Sequence, residues 1–368
     1  MRVLMAAGGT GGHLIPAIRI AEAISRQKNR AEFLFVGGDK GLEAKVVAGR
    51  GYRYIGLPAR GFMRSRIWRN FGALWSNVHA NSQARTVVAE FHPDVAVGCG
   101  GYASYFPIRA ARSRQIPYVL QEQNRLPGLV TRWLSSKAQT VFIAFEQTRP
   151  KLPKAKSIEL VGNPVDPRLA TMARNLARKN WGLSEAERVI LVTGGSGGAR
   201  SINQNVATAL KKVCPKPPIT VLWQTGRHSI DWDHTPAAGW VVRDFEFTDA
   251  MTEAFVAADV IIARAGALTI SELAAVGRPA ILVPFPFATA DHQTHNARVL
   301  VEAGGAILYE DRQLPTVSLL DQAVGLLSDT SRLEAMSSAN SALGRPDAAD
   351  RIATHVISLA ERTILGDN

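Results

Sequence analysis

Short apolar runs alternate along this chain with segments whose apolar residues recur at helical spacing. In the first half, the runs predict strands near residues 2–7, 33–36, 94–97, 117–120, 140–143 and 158–161. The second half repeats the rhythm and predicts strands near residues 188–193, 219–223, 240–245, 259–263, 280–283 and 306–309. Short runs rich in Val, Ile and Leu between helices are typical of buried parallel strands. The pattern therefore predicts an α/β fold with a mostly parallel sheet in each half.

A glycine-rich loop follows the first predicted strand of each half. The two loops align without a gap, pairing Gly8 with Gly194, Thr10 with Ser196, Gly12 with Gly198 and His13 with Ala199. Glycines let backbone N–H groups approach a phosphate or a sugar, and the helix start that follows adds positive potential. The alternative is a pair of tight turns with no ligand. The spacing excludes the Gly-x-Gly-x-x-Gly dinucleotide fingerprint.

The length of 368 residues favours two domains. The expected crossing point is Gly162-Asn-Pro-Val165, which predicts a first domain over residues 1–165 and a second over residues 166–344. The C-terminal segment, about residues 345–368, contains a final helix that we expect to pack back on the first domain.

Charge is concentrated in the first half. Residues 1–165 carry 24 Lys and Arg against 9 Asp and Glu, whereas residues 166–368 carry 19 against 22. Such an asymmetry directs the first half toward an anionic partner. No run of about 18 apolar residues predicts a membrane-spanning helix, and Met1 leads directly into a strand, so we expect no leader peptide. The two cysteines, Cys99 and Cys214, fit a reducing compartment, and no Cys/His cluster has metal spacing, so no cofactor or metal is expected.

Residues 60–75 combine arginines with apolar and aromatic positions at helical spacing. The positions of this predicted membrane-binding face are Ile67, Trp68, Phe71, Leu74 and Trp75. A basic helix with such a face suits an anionic membrane surface. The alternative is that the face belongs to the core and the arginines form a solvated rim. Nucleic acid is disfavoured as a partner because no nucleic-acid motif accompanies the charge.

Polar or glycine-rich segments follow four further predicted strands, and ligands of open α/β sheets bind beyond the carboxyl ends of strands. The segments are Gly98–Tyr102, Gln121–Asn124, Arg264–Glu272 and Asp291–Asn296. Four consecutive polar residues from Gln121 are expected to meet a ligand or a partner, or to form a solvated loop. Glu122 is suited to position a hydroxyl or to hold a protonated His13.

The two segments of the second half carry side chains suited to a nucleotide sugar. A helix predicted to start near Leu268 points N–H groups at a ligand, and Glu272 in its first turns matches the two hydroxyls of a ribose. The alternative for Glu272 is an acid favoured by the helix dipole. Gln293 and Asn296 share a helix face that can read sugar hydroxyls, whereas Asp291 alone is equally explained as an N-cap.

From residue 2 to about residue 360, the sequence resembles the MurG family of bacterial peptidoglycan N-acetylglucosaminyltransferases. The resemblance rests on seven segments in the same order: Gly8–His13, Gly100–Tyr102, Glu122–Asn124, Gly162–Val165, Gly194–Ser196, Arg264–Glu272 and Asp291–Asn296. It implies the GT-B fold, with two Rossmann-like parallel-sheet domains facing across a cleft. It also implies inverting transfer of GlcNAc from UDP-GlcNAc to the 4-hydroxyl of MurNAc in lipid I, which gives lipid II.

The resemblance further implies roles for individual residues. The donor contacts carried over by motif are Thr10, Gly11, Gly12, Asn124, Ser196, Thr248, Ala267, Leu268, Thr269, Ile270, Ser271, Glu272 and Gln293. His13 would take the proton of the attacking hydroxyl, for which an ordinary imidazole pKa of about 6.5 is suited, and Glu122 is the competing base. Backbone N–H groups at 195–198 would stabilise the leaving UDP. The enzyme would lie peripherally on the cytoplasmic face of the bacterial cell membrane.

Three positions depart from the family pattern. Gln121 stands where the family usually has His, Asp166 where it has Arg, and Gly197 where it has Gln. The reversed charge at Asp166 removes one expected donor contact, for which Arg168 or Arg200 would have to substitute. Two other functions stay open: another GT-B UDP-sugar enzyme, such as an epimerase or a glycolipid glycosyltransferase, and a non-catalytic membrane-bound UDP-sugar sensor.

Overall fold

The chain divides into two compact units. The computed structural model describes residues 1–366 except 9–10, 40–42, 62–69, 213, 228–229, 231, 233 and 247, and for Asn70 and Phe71 it describes the backbone alone. Unit 1 comprises Met1–Pro164 together with Asp347–Asn368, and unit 2 comprises Val165–Pro346. Each unit is built around its own parallel sheet.

Unit 1 is a seven-stranded sheet with helices on both faces. Its strands are β1 (Arg2–Ala6), β2 (Glu32–Gly38), β3 (Arg53–Leu57), β4 (Val95–Gly98), β5 (Tyr118–Glu122), β6 (Val141–Ile143) and β7 (Ile158–Leu160). All pair in parallel, in the order β3-β2-β1-β4-β5-β6-β7. The α-helices between them are α1 (Gly11–Gln27), α2 (Glu43–Ala48), α3 (Asn70–Phe91), α4 (Tyr105–Ser113) and α5 (Leu129–Leu134).

Alternation along β1 directs its side chains into two cores. Val3 and Met5 lie in the core that contains the apolar residues of α1, whereas Leu4 and Ala6 lie in the core formed with α3 and α4. All four side chains are fully buried. Successive strand residues point to opposite faces, so a strand between two helical layers must be apolar throughout. This is why uninterrupted apolar runs mark the central strands.

Unit 2 repeats the architecture with six strands. They are β8 (Arg188–Thr193), β9 (Ile219–Gln224), β10 (Trp240–Phe245), β11 (Val260–Ala263), β12 (Ala280–Leu282) and β13 (Ala306–Leu308). The parallel order is β10-β9-β8-β11-β12-β13. The helices are α6 (Arg168–Thr171), α7 (Arg174–Asn180), α8 (Arg200–Lys212), α9 (Met251–Ala257), α10 (Ala267–Val276), α11 (His292–Glu302), α12 (Leu319–Ser328) and α13 (Thr330–Leu343).

The C-terminal helix α14 (Ala348–Leu365) belongs to unit 1 and packs against α1. Its buried face includes Ile352 and Val356, both 0% exposed. At the margin, Arg26 of α1 pairs with Asp350 at 2.7 Å. Exposed ion pairs contribute little to stability, so the apolar face supplies most of the attachment.

The predicted fold class, a parallel-sheet α/β architecture in each half, is confirmed. The strands predicted from apolar runs occur within a few residues of their expected positions. The sequence does not predict β3, because Arg53 and Gly56 interrupt its apolar pattern and the strand lies at the edge of the sheet. None of the helices that the structure describes is both long and apolar enough to cross a bilayer.

Candidate active site

In unit 1, the loops after β1 and β4 meet at the carboxyl edge of the sheet. The strand order reverses between these two strands, which is where ligands bind in open α/β sheets. Gly8 N donates a hydrogen bond to Gly100 O at 3.3 Å. Gly101 has a φ of +78°, and a Cβ there would lie 1.7 Å from Gly8 O. Only glycine therefore allows the two loops to approach this closely.

His13 lies in the first turn of α1, beside these loops. Its side chain is half-buried, and a Cβ added to Gly100 would lie 2.8 Å from His13 Cδ2. The imidazole therefore packs directly against the Gly100 backbone. Gly11 and Gly12 precede it and are exposed, whereas Thr10 lies outside the described residues. The structure thus brings a titratable ring to the start of a helix, where the first N–H groups have no partner within the helix.

Glu122, at the end of β5, is buried and uses its carboxylate to hold the loop that follows. Oε1 accepts hydrogen bonds from Asn124 N at 3.1 Å and from Asn124 Nδ2 at 3.3 Å. Oε2 accepts one from Gly128 N at 3.0 Å. The residue is only 2% exposed. Both carboxylate oxygens are therefore engaged within unit 1, and they fix Asn124 beside the strand end.

Three buried amide residues are joined by hydrogen bonds that include one backbone carbonyl, and we call them the amide ring: Gln121, Gln123 and Asn163. Gln121 Nε2 donates to Asn163 Oδ1 at 2.8 Å, and Asn163 Nδ2 donates to Gln123 O at 3.1 Å. Gln123 Nε2 donates to Gln121 Oε1 and also to Cys99 O, the latter at 2.7 Å. The three residues are at most 2% exposed. These bonds explain how three polar side chains are accommodated in the interior of unit 1, and Asn124, which ends the polar run, is half-buried.

Part of the basic and aromatic segment lies on an exposed face of α3. Leu74 is 56% and Trp75 is 71% exposed, so the alternative that these side chains belong to the core is wrong. Val78, one turn further along α3, is 56% exposed. Ile67 and Trp68 lie outside the described residues, as does the side chain of Phe71. We call Leu74, Trp75 and Val78 the apolar face of α3.

In unit 2, the glycine loop after β8 lies at the equivalent switch in strand order. Gly198 N donates to Gly195 O at 2.8 Å, which closes the loop into a turn before α8. Gly198 has a φ of +75°, and a Cβ there would lie 2.2 Å from Thr225 O. By contrast, a Cβ on Gly197 would meet nothing within 4 Å. Ser196, between Gly195 and Gly197, is exposed, so the loop presents its hydroxyl side chain at the strand end.

Arg264, directly after β11, ties the loops of unit 2 together, a role that the sequence analysis does not predict. Its Nη1 donates to Val283 O at 3.1 Å and to Pro284 O at 3.0 Å. The same nitrogen pairs with Asp311 Oδ1 at 2.6 Å, and Nη2 donates to Ser201 Oγ at 2.8 Å. The side chain is 11% exposed. The available signal is an arginine at the end of an apolar strand, because a buried guanidinium needs several acceptors.

Gln293 joins the loops after β11 and β12. Its Oε1 accepts hydrogen bonds from Ala265 N at 3.1 Å and from Phe285 N at 2.9 Å. Asn296, one turn further along α11, is 1% exposed, so the two amides do not share a solvent-facing surface. In α10, Ile270 is buried, whereas Ala267, Leu268, Thr269, Ser271 and Glu272 are half-buried. The carboxyl edge of unit 2 therefore gathers the starts of α8, α10 and α11.

Thr248 lies in the loop that follows β10. It follows β10, the edge strand, which β9 separates from β8. Its Oγ1 accepts a hydrogen bond from Ala250 N at 3.1 Å and so shapes the turn into α9. Gly226 packs against Gly198, and its N donates to Glu246 O at 3.1 Å, so the segment that leads to Thr248 lies near the glycine loop.

The reversed charge at Asp166 is neutralised locally. Asp166 is 7% exposed and accepts hydrogen bonds from Arg168 Nη2 at 2.8 Å and from Thr252 Oγ1 at 3.2 Å. The hydrogen bond to Asp166 raises the pKa of the Arg168 guanidinium. Arg200 is instead exposed at the start of α8 and adjoins the glycine loop. Of the two arginines considered as substitutes, Arg200 is the one beside the candidate donor loop.

The two carboxyl edges have different chemical capacities. Unit 1 offers an imidazole beside a glycine loop, which is suited to proton transfer. Unit 2 offers three helix starts and a hydroxyl side chain, which are suited to a phosphate or a sugar. Over the described ranges, no group of three or more His, Cys, Asp and Glu residues is arranged to hold a metal ion.

Comparison with protein families shows the class of enzyme to which the chain belongs. Residues 3–143 match the N-terminal domain of glycosyltransferase family 28, and residues 189–352 match the C-terminal domain of that family. Each match includes the glycine loop of its unit. The chain is a glycosyltransferase with the two parallel-sheet domains of the GT-B class, and it belongs to glycosyltransferase family 28.

The chain is also similar to individual proteins whose names specify a reaction. A protein from Bacteroides fragilis named UDP-N-acetylglucosamine–N-acetylmuramyl-(pentapeptide) pyrophosphoryl-undecaprenol N-acetylglucosamine transferase is 37% identical, over 99% of this chain and 97% of its own. A protein of the same name from Nitratidesulfovibrio vulgaris is 39% identical over 98% of each chain. The crystal structure of MurG from Acinetobacter baumannii has a TM-score of 0.77 at 27% identity, covering 97% of this chain and 99% of that one. The resemblance to MurG that the motifs indicate is thus confirmed.

A more distant structure shares the fold alone. UDP-GlcNAc 2-epimerase from Neisseria meningitidis, solved with UDP-GlcNAc bound, has a TM-score of 0.66 at 14% identity. It covers 97% of this chain, and the match extends over 100% of that chain. The two-unit architecture therefore also serves enzymes of a different reaction class, and the fold alone does not define the reaction.

Proposed function

We propose that the chain catalyses inverting transfer of GlcNAc from UDP-GlcNAc to the 4-hydroxyl of MurNAc in lipid I, which gives lipid II for peptidoglycan synthesis. The observation that carries this proposal is the similarity to two N-acetylglucosamine transferases, at 37% and 39% identity over nearly the whole chain. A glycine loop at the carboxyl edge of each sheet offers one region for a donor and one for an acceptor. Through lipid II, the enzyme would supply cell-wall growth, cell shape and cell division.

Unit 2 is the proposed donor-binding unit. The helix starts behind Ser196 and at Ala267 offer N–H groups and positive potential to a diphosphate. Glu272 is assigned to the ribose hydroxyls, and Gln293 is assigned to the sugar. Residues 166–368 carry slightly more acids than bases, so the diphosphate must be neutralised locally. As the leaving UDP gains charge, fixed N–H groups stabilise it without having to reorganise.

His13 is the proposed general base of unit 1. It would take the proton from the attacking hydroxyl, and direct attack on the anomeric carbon would invert that centre. The contact with Gly100 supports this assignment, because it fixes the position of the half-buried ring. Glu122 is the competing base, but its oxygens already accept hydrogen bonds from Asn124 and Gly128. That arrangement favours a positioning role for Glu122.

Unit 1 is also the proposed membrane-binding unit, acting at the cytoplasmic face of the cell membrane as a peripheral protein. The apolar face of α3 exposes Leu74, Trp75 and Val78. The surplus of Lys and Arg in residues 1–165 would attract anionic lipids and the pyrophosphate of a lipid-linked acceptor. Tryptophan favours the membrane–water interface, where its ring meets both apolar and polar surroundings.

The test is a transfer assay with the purified full chain, radiolabelled UDP-GlcNAc and lipid I. Label is expected in lipid II only when lipid I is supplied. His13→Asn is expected to lower kcat by about 100-fold or more, because general-base catalysis contributes about that much. Glu122→Gln keeps an acceptor oxygen at this position, so its kcat should fall by a smaller factor than that of His13→Asn.

Other outcomes would contradict the proposal in distinct ways. Conversion of UDP-GlcNAc into its 2-epimer without lipid I would identify an epimerase. Tight UDP-GlcNAc binding with no turnover would identify a sensor. Full activity of His13→Asn would end the base assignment while leaving the transfer reaction in place.

A further inference from the structure

The hydrogen bonds of the amide ring extend to the backbone beside Gly100, which His13 contacts. We propose that Gln121, Gln123 and Asn163 form a positioning element for His13, and that the absence of a titratable group from the ring keeps this positioning independent of pH. The inference rests on the proposed role of His13 as general base. Buried amides that satisfy one another favour one arrangement, since any other arrangement leaves polar groups unpaired in a low-dielectric interior.

Gln123 makes the connection between the amide ring and the imidazole. Its Nε2 donates to Cys99 O at 2.7 Å, which fixes the peptide unit that leads into Gly100. A Cβ on Gly100 would lie 3.4 Å from Gln123 Oε1 and 2.8 Å from His13 Cδ2. The amide and the imidazole therefore contact the same glycine. Gly100 has a φ of +87°, a conformation in which few other residues are stable, so its position depends on such neighbours.

Gln121 and Asn163 are linked to the Gly100 contact through Gln123. Gln121 accepts a hydrogen bond from Gln123 Nε2 and donates to Asn163 Oδ1 at 2.8 Å. Asn163 in turn donates to Gln123 O at 3.1 Å. Removing the Gln121 amide would leave Asn163 Oδ1 without this donor. It would also remove the side-chain acceptor of Gln123 Nε2, whose bonds to Cys99 O at 2.7 Å and to the Gln121 backbone O at 3.3 Å would remain. The expected result is a less well-fixed Gly100, and hence a less well-fixed imidazole.

The members of the amide ring are not titratable. The titratable residues beside it in sequence or through Gly100 are His13, Glu122 and Cys99. Burial raises the pKa of the Cys99 thiol, so this group stays neutral across the working range. The Glu122 carboxylate is directed to Asn124 and Gly128 and not to the ring. The amide ring therefore changes its charge with pH when a titratable residue replaces one of its three members.

Two substitutions at Gln121 test the proposal. Gln121→Met keeps the volume and removes both hydrogen bonds, so kcat is expected to fall by about tenfold while KM for UDP-GlcNAc stays within about twofold. Gln121→His restores one donor and one acceptor while its ring is neutral, and burial lowers the pKa of an imidazole at this position below its ordinary value of about 6.5. It is expected to recover most of the kcat at pH 8. Below about pH 6 its kcat should fall more steeply than that of the wild type, because protonation places a charge in the ring.

The matched control is a buried amide of unit 2. Asn340 is 0% exposed and donates to Arg278 O at 2.7 Å and to Gly305 O at 2.9 Å. Asn340→Leu is expected to lower Tm without changing kcat of the folded enzyme or its pH profile. A lowered Tm with wild-type kcat in Gln121→Met would reduce the ring to a purely structural feature and overturn the proposal.

Failure of the inference is distinguishable from failure of the proposed function. If the wild-type chain transfers no GlcNAc to lipid I, the function itself is refuted. If Gln121→Met does not fold, Gln121→His decides the matter alone. Parallel pH profiles of kcat for Gln121→His and the wild type would then overturn the positioning role.

Discussion

At the scale of single residues, the glycines of the two loops and of the loop after β9 fall into two classes. Gly198 and Gly226 are required by close backbone approach, since a Cβ on Gly226 would lie 2.2 Å from Gly198 N. Gly11 and Gly197 occupy the same place in the aligned loops, and at each of them a Cβ would meet nothing within 4 Å. Packing within each unit therefore does not explain glycine at these two positions. Their missing side chains instead shape the surface that each loop presents.

The two classes lead to opposite expectations for stability. Gly198→Ala should destabilise unit 2 by about 2 kcal/mol or more, because it combines positive-φ strain with a backbone clash. Gly197→Ala should change the free energy of unfolding by less than about 0.5 kcal/mol. Urea unfolding of the two variants, followed by tryptophan fluorescence, measures the difference. Similar unfolding midpoints for both variants would contradict the observed loop geometry.

The sequence predicts which residues lie at the site more readily than it predicts their hydrogen-bond partners. His13 and Gln293 are predictable because they follow glycine-rich or proline-rich strand ends, and strand ends converge at the carboxyl edge of a parallel sheet. The bond from Gln121 to Asn163 and the bond from Arg264 to Asp311 join residues that are 42 and 47 positions apart. Such contacts depend on which strands become neighbours, and local spacing does not contain that information.

At the scale of elements, α14 shows how one helix completes a unit to which it is not adjacent in sequence. Ile352→Ala should cost about 2–4 kcal/mol, because the side chain is 0% exposed in the core shared with α1. Ile364→Ala, on the same helix, should cost less than about 0.5 kcal/mol, since that residue is 57% exposed. Thermal unfolding of both variants provides the measurement. Equal losses would show that α14 does not pack as described.

The strands differ in how well their sequences predict them. After an initial arginine, β1 and β8 continue with the apolar runs 3–6 and 189–192, because helices cover both faces of each central strand. β3 lies at the edge of the sheet beside β2, and Tyr54, Ile55 and Gly56 in it are only partly buried, so its sequence lacks a continuous apolar run. Edge strands have one unpaired side and tolerate polar residues, which weakens the pattern on which prediction depends.

At the scale of the whole molecule, the surplus of Lys and Arg in residues 1–165 and the apolar face of α3 together predict membrane binding. Leu74→Ser combined with Trp75→Ser should weaken binding to anionic phospholipid vesicles by about tenfold, since each exposed side chain would lose apolar burial. Raising the salt concentration should weaken binding of the wild type, because it screens the basic residues. Vesicle sedimentation measures both effects.

The control for this prediction lies in unit 2. Leu176 is 49% exposed on α7, and Leu176→Ser should leave vesicle binding unchanged. A comparable loss in the control, or none in the double variant, would remove the apolar face of α3 as the membrane contact.

The return of α14 to unit 1 has a consequence for biosynthesis. A ribosome releases the whole of unit 2, residues 165–346, before it releases the helix that completes unit 1. Until then, α1 lacks the cover that Ile352 and Val356 provide, and its apolar residues are accessible to chaperones and proteases. The first half of this chain is therefore the last to mature, which reverses the usual order for nascent proteins of two domains.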